Sequence, residues 1–267
     1  MGVRKTNLFR NKYMNITKAI LYVSFLIIIC PYTYGNSEPS SFSIPTLKRS
    51  YFQLDSQGAN LKLDETNLPY PGESDEYVIS SSFSPQDTVF FVVDPWDNMP
   101  SSFLNEYYGK ITTSYILPLI QKAAQSGFKI FIFTNKCGEI KPIPYSCSIP
   151  KQFFNLRERY KSVEIVFWQD IGNAQDFIEH IKSIGVKKII YTGFASNMCI
   201  LYRPIGMAKM SNLGFLLYFI PKASAAVETV KTWKNEEIHK ITSIIISQGL
   251  GGLIEYEDIL LAIQRKK

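Results

Sequence analysis

From Asp87 onward the apolar residues fall into short unbroken runs, separated by stretches in which they recur at helical spacing. Thr88 to Val93 is such a run, as expected for a strand buried on both faces of a sheet. Glu106 to Ser126 carries apolar positions at helical period and stops at Gly127, a residue suited to a C-terminal cap. Lys129–Thr134 reads as a second strand, Lys151–Tyr160 as a helix, Val163–Phe167 as a third strand, and Asn173–Ile184 as a helix closed by Gly185. Lys188–Thr192, Leu216–Ile220 and Gly252–Tyr256 predict three more strands. Met198–Asn212, Thr232–Ser247 and Asp258–Arg265 predict helices, the last with Asp258 as its N-cap. Strand and helix alternate throughout. Residues 87–267 are therefore expected to form an α/β domain: one doubly wound, mostly parallel six-stranded sheet with helices on both faces. In such a sheet ligand chemistry gathers at the C-terminal strand ends, near the point where strand order reverses.

Three stretches break the pattern. Residues 36–86 are rich in Ser, Pro, Asn and Gly without sustained period, and read as an extended arm or loop with room for a short hairpin. Residues 135–150 form an irregular insert containing Gly138, Pro142, Pro144 and Pro150. At the N-terminus a basic segment precedes the apolar run Ala19–Cys30, then Pro31 and small or polar residues. That order reads as a cleaved signal peptide over residues 1–35, and so as a secreted or periplasmic protein. Left uncleaved, the run would be a membrane anchor, although it is shorter than the ~20 residues a spanning helix needs.

Composition is that of an ordinary globular chain, 46% hydrophobic and 19% charged over 267 residues. The net charge of +6 is local. Arg4, Lys5, Arg10, Lys12 and Lys18 precede residue 36, where no acid occurs; removing these five from 29 basic residues leaves 24 against 23 acidic ones. No basic stripe remains to argue for nucleic acid. Of the four cysteines, Cys30 lies in the leader, Cys137 and Cys147 are close enough to pair in an oxidising compartment, and Cys199 stands alone.

Two strand ends carry candidate chemistry. Asp94, in Val93-Asp94-Pro95-Trp96-Asp97, follows the first buried strand; it is either a turn cap or a catalytic acid. Cys199 follows the fourth strand, in Thr192-Gly193-Phe194-Ala195-Ser196-Asn197-Met198-Cys199. A thiol opening a helix there would feel the positive end of its dipole, which favours thiolate, and free N–H groups of the turn would suit an oxyanion. A buried structural cysteine is the other reading, and spacing alone does not separate them.

Asp94 together with the Gly-x-Ala-Ser-Asn-x-Cys turn resembles the isochorismatase-like cysteine hydrolases, over roughly Asp87 to Gln264. The superfamily includes nicotinamidases, N-carbamoylsarcosine amidase and isochorismatase. Asp94-x-Trp96-Asp97 paired with Asn197-Met198-Cys199 looks like one branch of it. The resemblance implies a nucleophile at Cys199, a base at Asp94, an oxyanion hole from the N–H groups of Ala195 and Cys199, and a thioester intermediate on a small amide or related carbonyl compound. Trp96, Asp97, Trp168, Asp170, Asn197 and Arg203 are candidates for the substrate pocket, with Arg203 on the same helix face as Cys199. The family's third catalytic residue, a Lys after the third strand, is missing: Trp168-Gln169-Asp170 stands there, and Lys151 and Lys161 are off the motif position. Trp168 is expected to fill that space and leave the pocket less cationic. A catalytically inactive small-molecule binding protein is the alternative this gap suggests. Thr134-Asn135-Lys136-Cys137 follows the second strand in place of nicotinamidase metal ligands, and no dinucleotide fingerprint follows the first, so neither metal nor cofactor is expected. The expected partner is a small-molecule substrate; a homo-oligomer is left open.

Overall fold

The alternating pattern is realised as one sheet of eight strands, in a computed structural model that describes residues 41–50, 63, 65–67, 76–137 and 148–265. The chain divides into two compact units, of which Met1–Ser37 lies outside these residues and Glu38–Lys267 holds the sheet. The strands are β1 (Phe42–Arg49), β2 (Glu76–Phe83), β3 (Thr88–Val93), β4 (Lys129–Thr134), β5 (Val163–Phe167), β6 (Lys188–Gly193), β7 (Leu216–Ser224) and β8 (Gly252–Leu253). Their spatial order is β2-β1-β8-β7-β6-β3-β4-β5. All neighbours from β8 to β5 are parallel, whereas β1 runs antiparallel to β2 and β8.

The expected six strands thus become eight. The two additions come from the segment read as an arm, where β1 and β2 pair as a hairpin on the sheet edge. The apolar signal there is weak because these strands bury little: Pro45 sits within β1, and β2 carries Ser80-Ser81-Ser82 before buried Phe83.

Alternation inside the central strands builds two cores. Phe90 and Val92 of β3, with Ile130 and Ile132 of β4, face one layer, formed by α1 (Ser102–Ile111), α2 (Leu117–Gln125), α3 (Lys151–Arg159) and α8 (Tyr256–Gln264). Val89, Phe91 and Val93, with Phe131 and Phe133, face the other. That second layer comprises the short α4 (Trp168–Ile171), α5 (Gln175–Ser183), α6 (Met207–Met210) and α7 (Glu237–Gly249). Helices therefore cover both faces, as a buried parallel sheet requires.

The helices differ from expectation where proline intervenes. The run expected from Glu106 begins at Ser102 and contains a π-helical turn at Thr112–Ile116 between α1 and α2. Pro118 explains it: with no N–H to offer the carbonyl four residues back, its ring pushes the backbone outward. The helix expected over Met198–Asn212 is interrupted too. A π-helical turn at Ser196–Ile200 runs on to Tyr202, then stops, and helix resumes only at Met207. Pro204 disfavours helical geometry at the residue before it, Arg203. The last helix starts at Tyr256 with Glu255 as N-cap, not Asp258. Cys137 is disulfide-bonded; its expected partner Cys147 lies outside the described residues.

Candidate active site

Strand order reverses between β3 and β6, and their parallel pairing places Val93 opposite Gly193. Asp94 and the Phe194–Cys199 turn consequently leave the sheet side by side. The approach is close enough to dictate sequence: a Cβ on Gly193 would lie 2.1 Å from the Val93 carbonyl oxygen, and φ is +116° there. Phe194 N–H donates to Val93 O at 2.8 Å and Asp94 N–H to Phe133 O at 2.9 Å, so both exits are pinned to the sheet. Asp94 (φ 48°) and Ala195 (φ 53°) are both left-handed, a conformation that non-glycine residues adopt only where their surroundings enforce it.

Asp94 is fully buried. Its Oδ1 accepts a 2.7 Å hydrogen bond from Trp168 Nε1, and its Oδ2 faces Arg203, with Nε at 3.4 Å and Nη2 at 3.3 Å. The Arg203 guanidinium stacks on the Trp168 ring at 4.9 Å, and Trp168 stacks on Phe133 at 5.0 Å. Cys199, half-buried, feels both the Asp94 carboxylate and the Arg203 guanidinium. Burial pushes the Asp94 carboxyl above the ordinary carboxylate range, against the pull of Arg203, Trp168 and Cys199. Burial also pushes the Cys199 thiol far above its usual value; the Asp94 charge adds to the rise and Arg203 opposes it.

The expected helix-dipole activation of Cys199 is therefore corrected. Cys199 is the fourth residue of a five-residue π-turn, beyond the first N–H groups where the dipole is strongest, and it lies against a buried carboxylate. In the resting state the sulfur keeps its proton. The expectation of a less cationic pocket is corrected as well. Trp168 does sit at Asp94, but Arg203, one turn beyond Cys199 with its N–H on Cys199 O at 3.1 Å, lies beside it. Lys151 and Lys161 are exposed, away from this cluster.

Ala195 N–H has no hydrogen-bond partner among the described residues, and Cys199 N–H makes no bond outside its own turn. Of the two donors expected of an oxyanion hole, the Ala195 N–H is thus free to meet one. Tyr108 of α1 covers the turn, its ring stacked on Phe194 at 4.0 Å and its hydroxyl donating to Ala226 O at 3.1 Å.

The other expected pocket residues lie elsewhere. Trp96 is buried in the first core, and with exposed Asp97 it lines a separate cleft of about 630 Å³ beside Lys151 and Asn155. Asn197 anchors the segment after β7 by accepting Val227 N–H at 2.9 Å. Asp170 pairs with Lys136 at 2.6 Å on the surface. Sequence reasoning missed His239, whose Nδ1 meets Ser196 Oγ at 3.0 Å. Its only sequence signal was a histidine on an amphipathic helix, which names no partner.

No family model matches the chain, and no curated protein matches it in sequence. Among solved structures, a cysteine hydrolase from Pseudomonas syringae superposes with a TM-score of 0.53 at 14% identity, over 69% of this chain and 96% of its own. A nicotinamidase from Staphylococcus aureus aligns less well, with a TM-score of 0.47 at 14% identity over 63% of this chain and 96% of that one. So does an isochorismatase from Pseudomonas putida, at 0.47 and 16% identity over 65% and 90%. The first superposition shows that the chain shares the fold of that cysteine hydrolase.

Proposed function

We propose that the protein is a thiol hydrolase of small carbonyl compounds, amides foremost, working through a thioester on Cys199. The observation that carries this reading is the electrostatic coupling of the Cys199 thiol to the buried Asp94 carboxylate at adjoining strand ends, beside the unpartnered N–H of Ala195. The cysteine hydrolase that shares the fold supports the same class of chemistry.

A resting thiol with a raised pKa sets the order of events. As Sγ bonds to the substrate carbonyl carbon, its proton passes to Asp94, so attack and proton transfer are coupled and no thiolate is stored beforehand. The same burial that raises the Asp94 pKa makes its carboxylate the stronger acceptor. The N–H groups of Ala195 and Cys199 meet the oxyanion. Asp94 then gives its proton to the leaving amine as the C–N bond breaks. Water, deprotonated by Asp94, cleaves the thioester, and the sulfur regains its proton. Arg203, held against Asp94 Oδ2, supplies the positive charge that the resembling family takes from a Lys after the third strand. This favours a working hydrolase over an inactive binding protein. The chemistry needs no cofactor.

The test is a screen of small amides and ureas for released ammonia or amine, with Cys199→Ala as control. Turnover that survives in Cys199→Ala, or the absence of any Cys199-dependent turnover and acyl-enzyme, refutes the proposal. Export belongs to the same proposal and rests on the sequence of residues 1–35. Mass spectrometry of protein from its native source should find a mature N-terminus near Asn36; an intact leader in a soluble cytosolic fraction refutes it.

A further inference from the structure

Ser196, directly after the left-handed Ala195, is fully buried. Its N–H donates to Ala225 O at 2.9 Å, and its hydroxyl meets His239 Nδ1 at 3.0 Å. The other ring nitrogen, Nε2, lies 3.0 Å from Pro221 O. A carbonyl only accepts, so Nε2 carries the hydrogen, and Nδ1 of the neutral ring accepts from Ser196. Burial holds His239 toward that neutral form, against the nearby carboxylates of Glu236 and Glu228. The ring is itself fixed: Glu228, buried, accepts N–H bonds from Ile238 (3.3 Å) and His239 (2.9 Å) at the start of α7, and Phe219 lies 5.8 Å away.

One side-chain bond therefore ties the oxyanion turn to α7 and to the end of β7. A strained residue keeps its conformation only where neighbours over-determine it, and Ala195 is followed by the residue that makes this bond. We infer that His239 is a positioning residue: through Ser196 it holds the Ala195 and Cys199 N–H groups where an oxyanion forms. The inference rests on the hydrolase reading.

Two probes of Cys199 in the full chain separate this role from general support of the fold. Iodoacetamide alkylates sulfur by displacement and forms no oxyanion. With p-nitrophenyl acetate, Sγ bonds to the acetyl carbon, the thiol proton passes to Asp94, and p-nitrophenolate leaves through a tetrahedral oxyanion. In Ser196→Ala and in His239→Phe, acetyl transfer should fall about tenfold or more, less than the ~10²–10³ for losing a donor outright. Alkylation should be unchanged, and the double variant should lose no more than either single one. Acetyl transfer and alkylation falling in step, or neither falling, overturns the role. Should His239→Phe fail to fold, Ser196→Ala decides alone. A wild type that accepts no acetyl group overturns the hydrolase reading, and the inference with it.

Discussion

Replacing Asp94 by Asn should make Cys199 more reactive toward an alkylating agent and less able to turn over a substrate. The amide keeps the shape of the carboxyl and removes its charge. In the native protein that charge raises the thiol pKa and Arg203 lowers it. With Asp94 neutral, Arg203 acts unopposed. Two unit charges ~4 Å apart at an effective dielectric of ~20 interact by about 4 kcal/mol, equivalent to ~3 pKa units. The burial cost of a thiolate remains, so the thiolate population at a fixed pH should rise by between roughly tenfold and a thousandfold. Iodoacetamide labelling at pH 8, read on the Cys199 peptide by mass spectrometry, measures this directly. Turnover or acetyl transfer should instead drop by about 10²–10⁴, because the proton has no acceptor. Arg203→Met is the mirror test: losing the cation raises the thiol pKa further and slows labelling. Labelling that slows in Asp94→Asn, or quickens in Arg203→Met, would refute the coupling drawn here between the thiol, the carboxylate and the guanidinium.

Three further outcomes follow from the same contacts. Trp168→Phe keeps the ring stacked between Phe133 and Arg203 but removes the N–H bond to Asp94, and should cost about 1.5–3 kcal/mol in urea unfolding at pH 7; a neutral result would show that the bond does not form. The folded pKa of Asp94 lies above its unfolded value of about 3.9, so the native state binds more protons between those values. Stability from this group therefore falls as pH rises through the folded pKa, and wild type should gain on Asp94→Asn as pH falls from 7 toward 4; a gain with rising pH contradicts the raised pKa. Gly193→Ala drives a Cβ to within 2.1 Å of Val93 O at φ +116°, and should destabilise by about 3 kcal/mol or more, read as lost soluble protein or a collapsed Tm.

The parts of this site that were legible in the sequence are those carried by the backbone. β3 and β4 occupy the residues their apolar runs predict, because strands buried almost throughout have little polar sequence to blur their ends. Once β3 and β6 are adjacent, Asp94 and Cys199 have to meet, since each is set by its distance from a strand end. Arg203 was legible in part: helical spacing places it one turn beyond Cys199 on the same face, and its N–H does donate to Cys199 O at 3.1 Å, but nothing in the spacing shows that Asp94 and Trp168 lie within its reach. His239 lies 43 residues from Ser196, and nothing local to either residue encodes their meeting. The missing Lys bears on the same distinction. Its absence after the third strand looks like a lost function while position in the chain is the criterion. What a buried carboxylate needs to stay charged is a cation within a few ångströms, whichever strand supplies it. Here the other side of the switch point supplies it, and the guanidinium can hold Asp94 Oδ2 while still stacking on the indole that donates to Oδ1. A lysine ammonium has no planar face to stack in that way, so Arg203→Lys would keep the charge and lose the orientation.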